Sequence, residues 1–178
     1  MSRDYHPRIY VASLSDYNAG RLHGVWIVLS DGIDACWRTV EAMLESSPEP
    51  GAEEWAIHDY EDFGPVRLHE YENLELVAKL AQGIARYGEA FACWADHLGS
   101  SSWDELDRFE QAFQGTFTDL RQCADDLLDN LDIDLDPSSW APGLIAAYVR
   151  VDVDAFARDL QHIFTVFEGA EGVHIFDP

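Results

Sequence analysis

The residues with the densest chemical potential in this chain are acids. Asp119 to Asp136 reads DLRQCADDLLDNLDIDLD and carries seven aspartates (Asp119, Asp125, Asp126, Asp129, Asp132, Asp134, Asp136) against one arginine, Arg121. Carboxylates so spaced suit cation binding, acid–base work, or the building of an electrostatic field. The start Asp132-x-Asp134-x-Asp136 has the look of a calcium loop. An EF-hand, however, needs Gly at its sixth position and Glu at its twelfth. Pro137 and Gly143 stand there, so no dedicated metal site is expected.

Acid–base chemistry fares no better. The seven histidines (His6, His23, His58, His69, His97, His162, His174) show no H-E-x-x-H spacing, and the cysteines no C-x-x-C. His58 with Asp59 or Glu61 is the arrangement from which a small enzyme could be built. No nucleophile motif such as G-x-S-x-G accompanies it. Gly-rich phosphate loops are absent, and the only lysine is Lys79. The expectation is therefore no catalytic residue, no cofactor and no bound nucleotide.

What remains is the field itself. Leu120, Cys123, Ala124, Leu127, Leu128 and Leu131 recur at the spacing of one helix face. The leucine side should bury, leaving the opposite side almost all carboxylate. Asp125, Asp129 and Asp132 follow at i, i+4 and i+7, about 5–6 Å between neighbouring Cβ atoms. Like charges so placed destabilise a helix, so strong packing or a use for the field must offset them. Phosphates along one DNA strand step about 3.4 Å, and this row is a sparser version.

The whole chain shares the bias. Its 178 residues hold 34 acids and 11 bases, a formal net charge of −23, yet 47% of residues are hydrophobic. That is too apolar for a disordered acidic tail. Binding to nucleic acid is disfavoured, and binding to basic surfaces is favoured and fast. The acid comes in blocks. Residues 1–38 hold four acids and four bases, residues 39–66 eight acids and no base, and residues 104–136 eleven acids and two bases. Six tryptophans (Trp26, Trp37, Trp55, Trp94, Trp103, Trp140) fall mostly on apolar faces and read as core. Cys36, Cys93 and Cys123 read as free thiols in a reducing compartment. No signal peptide or membrane span is evident, and a cytoplasmic location is expected.

The elements that must carry these acids make an α+β fold. Arg8 to Leu14, Val25 to Leu29 and Glu54 to His58 read as strands. Asn18–Gly20 marks a turn, and Ser30 or Asp31 caps a helix through Ile33, Cys36, Val40 and Leu44. From Glu70 the pattern turns helical: one helix to Gly88, a second to Gly99, a third opened by a Ser102-x-x-Glu105 capping box and closed at Gly115. The acidic helix, Thr118 to about Leu131, follows. Leu144 to Val149 could be helix or strand. Asp152 caps a last helix, and Ile163–Phe167 with Val173–Phe176 read as a hairpin. Three small domains are expected: an α+β domain over 1–64, a helical one over 65–115, and an α+β one over 116–178.

Pro7–Gly24 (PRIYVASLSDYNAGRLHG) and Glu54–Gly64 (EWAIHDYEDFG) closely resemble the ArdA-type antirestriction proteins. Phe156–Leu160 and Val173–Phe176 are similar to that family's close. The resemblance implies a non-enzymatic mimic of bent B-form DNA, encoded on a mobile element, that occupies the DNA groove of type I restriction-modification enzymes. The specificity and methyltransferase subunits would be the partners. It further implies three small domains in a row and a homodimer through the C-terminal one, with the antirestriction motif in the region matching Asp126 to Trp140. The carboxylates then expected to stand for phosphates are Glu41, Glu45, Glu53, Glu54, Asp59, Glu61, Asp62, Asp104, Asp107, Asp119, Asp125, Asp126, Asp129, Asp132, Asp134 and Asp136. Leu127, Leu128, Leu131, Asp132 and Trp140 are the expected dimer or motif contacts.

Simple scaling agrees with a mimic. A 60-residue unit is roughly 27 Å across, and three in line span about 80 Å. Duplex DNA of that length carries roughly 47 charges, about twice the net charge here. A groove gripping one side of a duplex need see no more. Two other readings stay open on sequence alone. One is a salt-adapted protein of another function, against which the neutral first block counts. The other is an acidic mimic aimed at a different DNA-binding protein.

Overall fold

The computed structural model describes residues 3–29, 32–131 and 135–178. The chain forms two compact units, Met1–Phe109 and Glu110–Pro178. Each holds one antiparallel three-stranded sheet among helices, so the fold is α+β.

In the first unit β1 (Arg8–Ser13) lies between β2 (Gly24–Val28) and β3 (Trp55–Glu61). Strand alternation sends Ile9 and Val11 into the core at 0% exposure and leaves Arg8 outside. The expected turn forms at Ala19–Gly20, but a short helix, α1 (Leu14–Asn18), which the sequence did not announce, stands between it and β1. Ser13 makes the difference: its side chain accepts the Asp16 N–H and caps the helix. Helix α2 (Ile33–Glu45) buries Cys36, Val40 and Met43 and packs on β1 and β2. Gly32 is its N-cap, at φ 89°; the expected caps Ser30 and Asp31 lie outside the described residues. Strand β3 runs three residues beyond the predicted His58. His58 is the extra residue of a bulge, since Val11 faces Ile57 while Tyr10 faces Asp59.

Helices α3 (Leu74–Tyr87) and α4 (Glu89–Leu98) meet at Gly88, whose φ is 66°. Asn73 caps α3, accepting the Glu75 and Leu76 N–H groups at 2.8 and 3.2 Å. A 3₁₀ segment, Ser100–Arg108, comes next. The capping box expected at Ser102 does not form. Gly99 is the N-cap, Ser102 sits at a kink (φ −123°, ψ 18°), and Glu105 pairs with Arg108 at 2.6 Å. Of the four residues whose helical spacing predicts an inner stripe, Trp103, Leu106 and Phe109 are buried, whereas Phe113 is half-buried and belongs to a strand. Trp103 donates its indole N–H to the Ala95 carbonyl at 3.2 Å. Tyr87, Phe91 and Phe109 cluster with ring centroids 4.8–6.0 Å apart. A Cβ at Gly83 would run into the Phe91 ring, so this glycine sets how closely α3 and α4 approach.

The expected end of the third helix is instead a strand. After α5 (Phe109–Ala112), Phe113–Phe117 forms β4 and pairs with β6 (Gly172–Phe176), which also pairs with β5 (Thr165–Gly169). Gly115 is not a helix stop. It lies where the β4–β6 register shifts, with φ 149°. The cross-strand partner, some sixty residues away in sequence, overrides local helical patterning here. Helices α6 (Leu120–Asn130), α7 (Pro137–Trp140), α8 (Gly143–Ala146) and α9 (Val153–Asp159) complete the unit. Its core joins Cys123 and Ala124 of α6, Ala157 of α9, Leu160, Val173 and Ile175.

Candidate acidic interface

The acidic helix starts at Leu120. Asp119 is its N-cap, taking the Gln122 N–H at 2.8 Å. One face buries Cys123, Ala124 and Leu128, with Leu120 and Leu127 packed against the same core, as the spacing predicts; Leu131, expected on that face, is instead exposed at the helix C-cap, past the last turn that packs. Asp125, Asp126 and Asp129 are exposed on the other. The like-charge penalty is partly relieved by Arg121, which reaches Asp125 one turn on (3.2 Å) and Asp154 of α9. Both carboxylates, Asp154 first, raise the Arg121 pKa.

The acids chosen from sequence divide into two sets. All the described ones are exposed except Asp62, which is half-buried. Several are already neutralised by a base of the chain itself. Glu61 pairs with Arg8 at 2.5 Å, Asp62 with Arg3 at 2.6 Å, Asp107 with Lys79 at 2.8 Å, and Asp125 with Arg121. Asp119 and Asp136 are spent on helix caps. The Ser138 hydroxyl and N–H hold Asp136 below its ordinary pKa, and Asp59 accepts the N–H of Tyr60 at 2.8 Å. Glu41, Glu45, Glu53, Glu54, Asp104, Asp126 and Asp129 have no ion-pair partner among the described residues. Asp132 and Asp134 lie outside the described residues.

The apolar residues expected at a contact also divide. Leu128 is 8% exposed and Leu127 packs against the unit's own core. Leu131 and Trp140 are 64% and 55% exposed, and Leu144, Ile145 and Tyr148, later in the chain, reach 91%, 54% and 87%. The last three were not singled out from sequence. The uninterrupted apolar run Leu144–Val149 was their signal.

His58 is half-buried and meets Tyr17 edge-on at 4.8 Å, and no hydrogen bond joins it to Asp59 or Glu61 among the described residues. No group of three metal-ligating side chains occurs among the described residues. Cys93 and Cys123 are free thiols. Burial, then Glu89 and Asp96, pushes the Cys93 thiol up to about 11, which leaves it protonated and a poor nucleophile. No helix among the described residues is long and apolar enough to cross a membrane.

One polar group that sequence reasoning passed over is fully buried. Asp16 of α1 is 0% exposed. It accepts the Ser47 hydroxyl at 2.5 Å and the Arg21 Nε–H at 3.3 Å. Burial alone would raise its pKa, but hydrogen bonds from Ser47, Ser13 and Arg21, with the His23 charge, bring it below the ordinary value. A carboxyl whose folded pKa lies below its unfolded one stabilises fully above the unfolded value and loses this as pH falls through the folded value. The first unit should therefore lose melting temperature below about pH 4. In Asp16→Asn the neutral-pH melting temperature should be lower and the acid decline shallower, as thermal melts across pH would register.

The fold and surface define a class: a small α+β protein with an acidic exterior, on which several exposed carboxylates have no ion-pair partner among the described residues. A profile of the antirestriction protein (ArdA) family matches residues 9–174, and the chain belongs to that family. Its function is thus antirestriction, directed at restriction-modification enzymes. A comparison with curated proteins returned no match.

Proposed function

We propose that this protein is a counterfeit polyanion that competes with DNA for the groove of a type I restriction-modification enzyme, at its specificity and methyltransferase subunits, without performing chemistry. Incoming mobile DNA in the cytoplasm would be the beneficiary. The observation that carries the reading is the unpaired set: Glu41, Glu45, Glu53, Glu54 and Asp104 in the first unit, Asp126 and Asp129 in the second. A carboxylate already matched by arginine is locally a dipole, whereas an unmatched one attracts a basic groove. Binding should release the ions condensed on that groove, so affinity should fall steeply with salt, as for DNA. Titrating binding to a purified type I methyltransferase core against salt, with duplex as competitor, tests this. An affinity indifferent to salt, or simultaneous binding of duplex and protein, would sink it.

We also propose a homodimer through the exposed apolar side chains Leu131, Trp140, Leu144, Ile145 and Tyr148. Exposed aliphatic and aromatic side chains so close in sequence are costly to leave in water. Leu144→Asp with Tyr148→Ser is expected to yield a folded monomer by light scattering. A wild-type protein that is monomeric at every concentration would rule the dimer out.

A further inference from the structure

Arg21 and His23 belong to the stretch YNAGRLHG, which no part of the acidic surface uses. Their structural partners suggest why they are there. Four segments converge on Asp16: Ser13 at the end of β1, α1 itself, the connection into β2 at Arg21 and His23, and the loop after α2 at Ser46–Glu49. The Ser47 hydroxyl donates to Asp16 and accepts the Glu49 N–H at 3.0 Å, relaying the anchor into the loop backbone. Arg21 pairs with both Asp16 and Glu49, so Glu49 is gripped through main chain and side chain. His23 Nε2 lies 2.7 Å from the Met43 carbonyl and 3.3 Å from the Ser46 hydroxyl, fastening the end of α2. At the far end of the loop, Leu14 N–H donates to the Glu54 carbonyl at 3.0 Å.

Everything so fastened lies in the block of eight acids and no base. Glu41 and Glu45 precede the clasp and Glu53 and Glu54 follow it, all exposed. Like charges so close repel, and a loop carrying them would spread unless something held it. A buried carboxylate with satisfied hydrogen bonds fixes one geometry, because leaving any partner unpaired in the core costs heavily.

We infer that Asp16, Ser47 and Arg21 are positioning residues for the acidic surface: a buried negative charge, invisible to the enzyme, fixes where the exposed ones stand. The inference rests on the polyanion reading above. It predicts that Ser47→Ala, which removes one hydroxyl and no charge, weakens binding to the methyltransferase core about tenfold, and that Ser47→Thr, which restores the hydroxyl, recovers it.

The experiment is a double-mutant cycle. Ser47→Ala is measured in the wild type and in a background carrying Glu41→Gln, Glu45→Gln, Glu53→Gln and Glu54→Gln, with a thermal melt of each protein and binding assayed well below the lowest midpoint. The expected result is a tenfold loss in the wild type and almost none in the neutralised background, where the four exposed glutamates that the clasp positions are gone. Equal losses in both backgrounds, or none in the wild type, would overturn the positioning role while leaving the polyanion reading intact. If the neutralised background alone binds as well as the wild type, the polyanion reading itself fails, and this inference with it.

Discussion

Replacing Glu41, Glu45, Glu53 and Glu54 by glutamine together with Asp126 and Asp129 by asparagine is expected to weaken binding to a type I methyltransferase core by roughly 100-fold. Each exposed charge should contribute about 0.5 kcal/mol, by analogy with surface ion pairs, and six make about 3 kcal/mol. No single replacement among them should change affinity more than a few-fold. The salt dependence should flatten together with the affinity, because fewer ions are displaced. Fold should be kept, since none of the six has an ion-pair partner among the described residues to lose. The opposite sign is expected from Lys79→Gln. Lys79 holds Asp107 at 2.8 Å, so its removal exposes one more unmatched carboxylate and should tighten binding slightly at low salt. Net negative charge and affinity moving in opposite directions in either experiment would contradict a field-driven mechanism.

The largest expected loss of stability follows from Trp103→Ala. Trp103 is 2% exposed, lies on the inner stripe with Leu106 and Phe109, and gives its indole N–H to Ala95. Truncating a buried tryptophan costs about 3–5 kcal/mol through lost burial and the cavity left behind. Against a total of roughly 5–15 kcal/mol for a typical domain, that is a large share. The urea midpoint should drop sharply with little change in slope. Molecules still folded should bind the enzyme as before, since Trp103 lies beneath the surface and carries no charge. A cost below about 1 kcal/mol would mean that the site collapses around the smaller side chain.

These two results separate the protein's two requirements, a core that holds shape and a surface that holds charge. They also mark where sequence reading stops. The spacing of Leu120, Cys123, Ala124, Leu127 and Leu128 identified the buried face of α6, because a helix turns by a fixed angle per residue whatever surrounds it. The same rule put Trp103, Leu106 and Phe109 inside. It failed at Phe113–Phe117, where helical spacing continued but the backbone bonds went to a distant strand.

The chain by itself determined the sign of the charge, its arrangement in blocks, the absence of catalytic spacings, and the family to which the residues belong. All of these are properties of composition and local order. Tertiary structure alone decided which acids remain to act. Glu61 and Glu54 look alike in the sequence, yet a strand pairing brings Arg8 onto Glu61 from 53 positions away while Glu54 meets no base among the described residues. Leu127 and Leu131 are one helical turn apart, yet one packs against the unit's core and the other faces water. Asp16 is one acid among 34 until folding closes Ser47 and Arg21 over it. Ion pairing and burial depend on distance in space, and local patterning does not encode which distant residue will arrive.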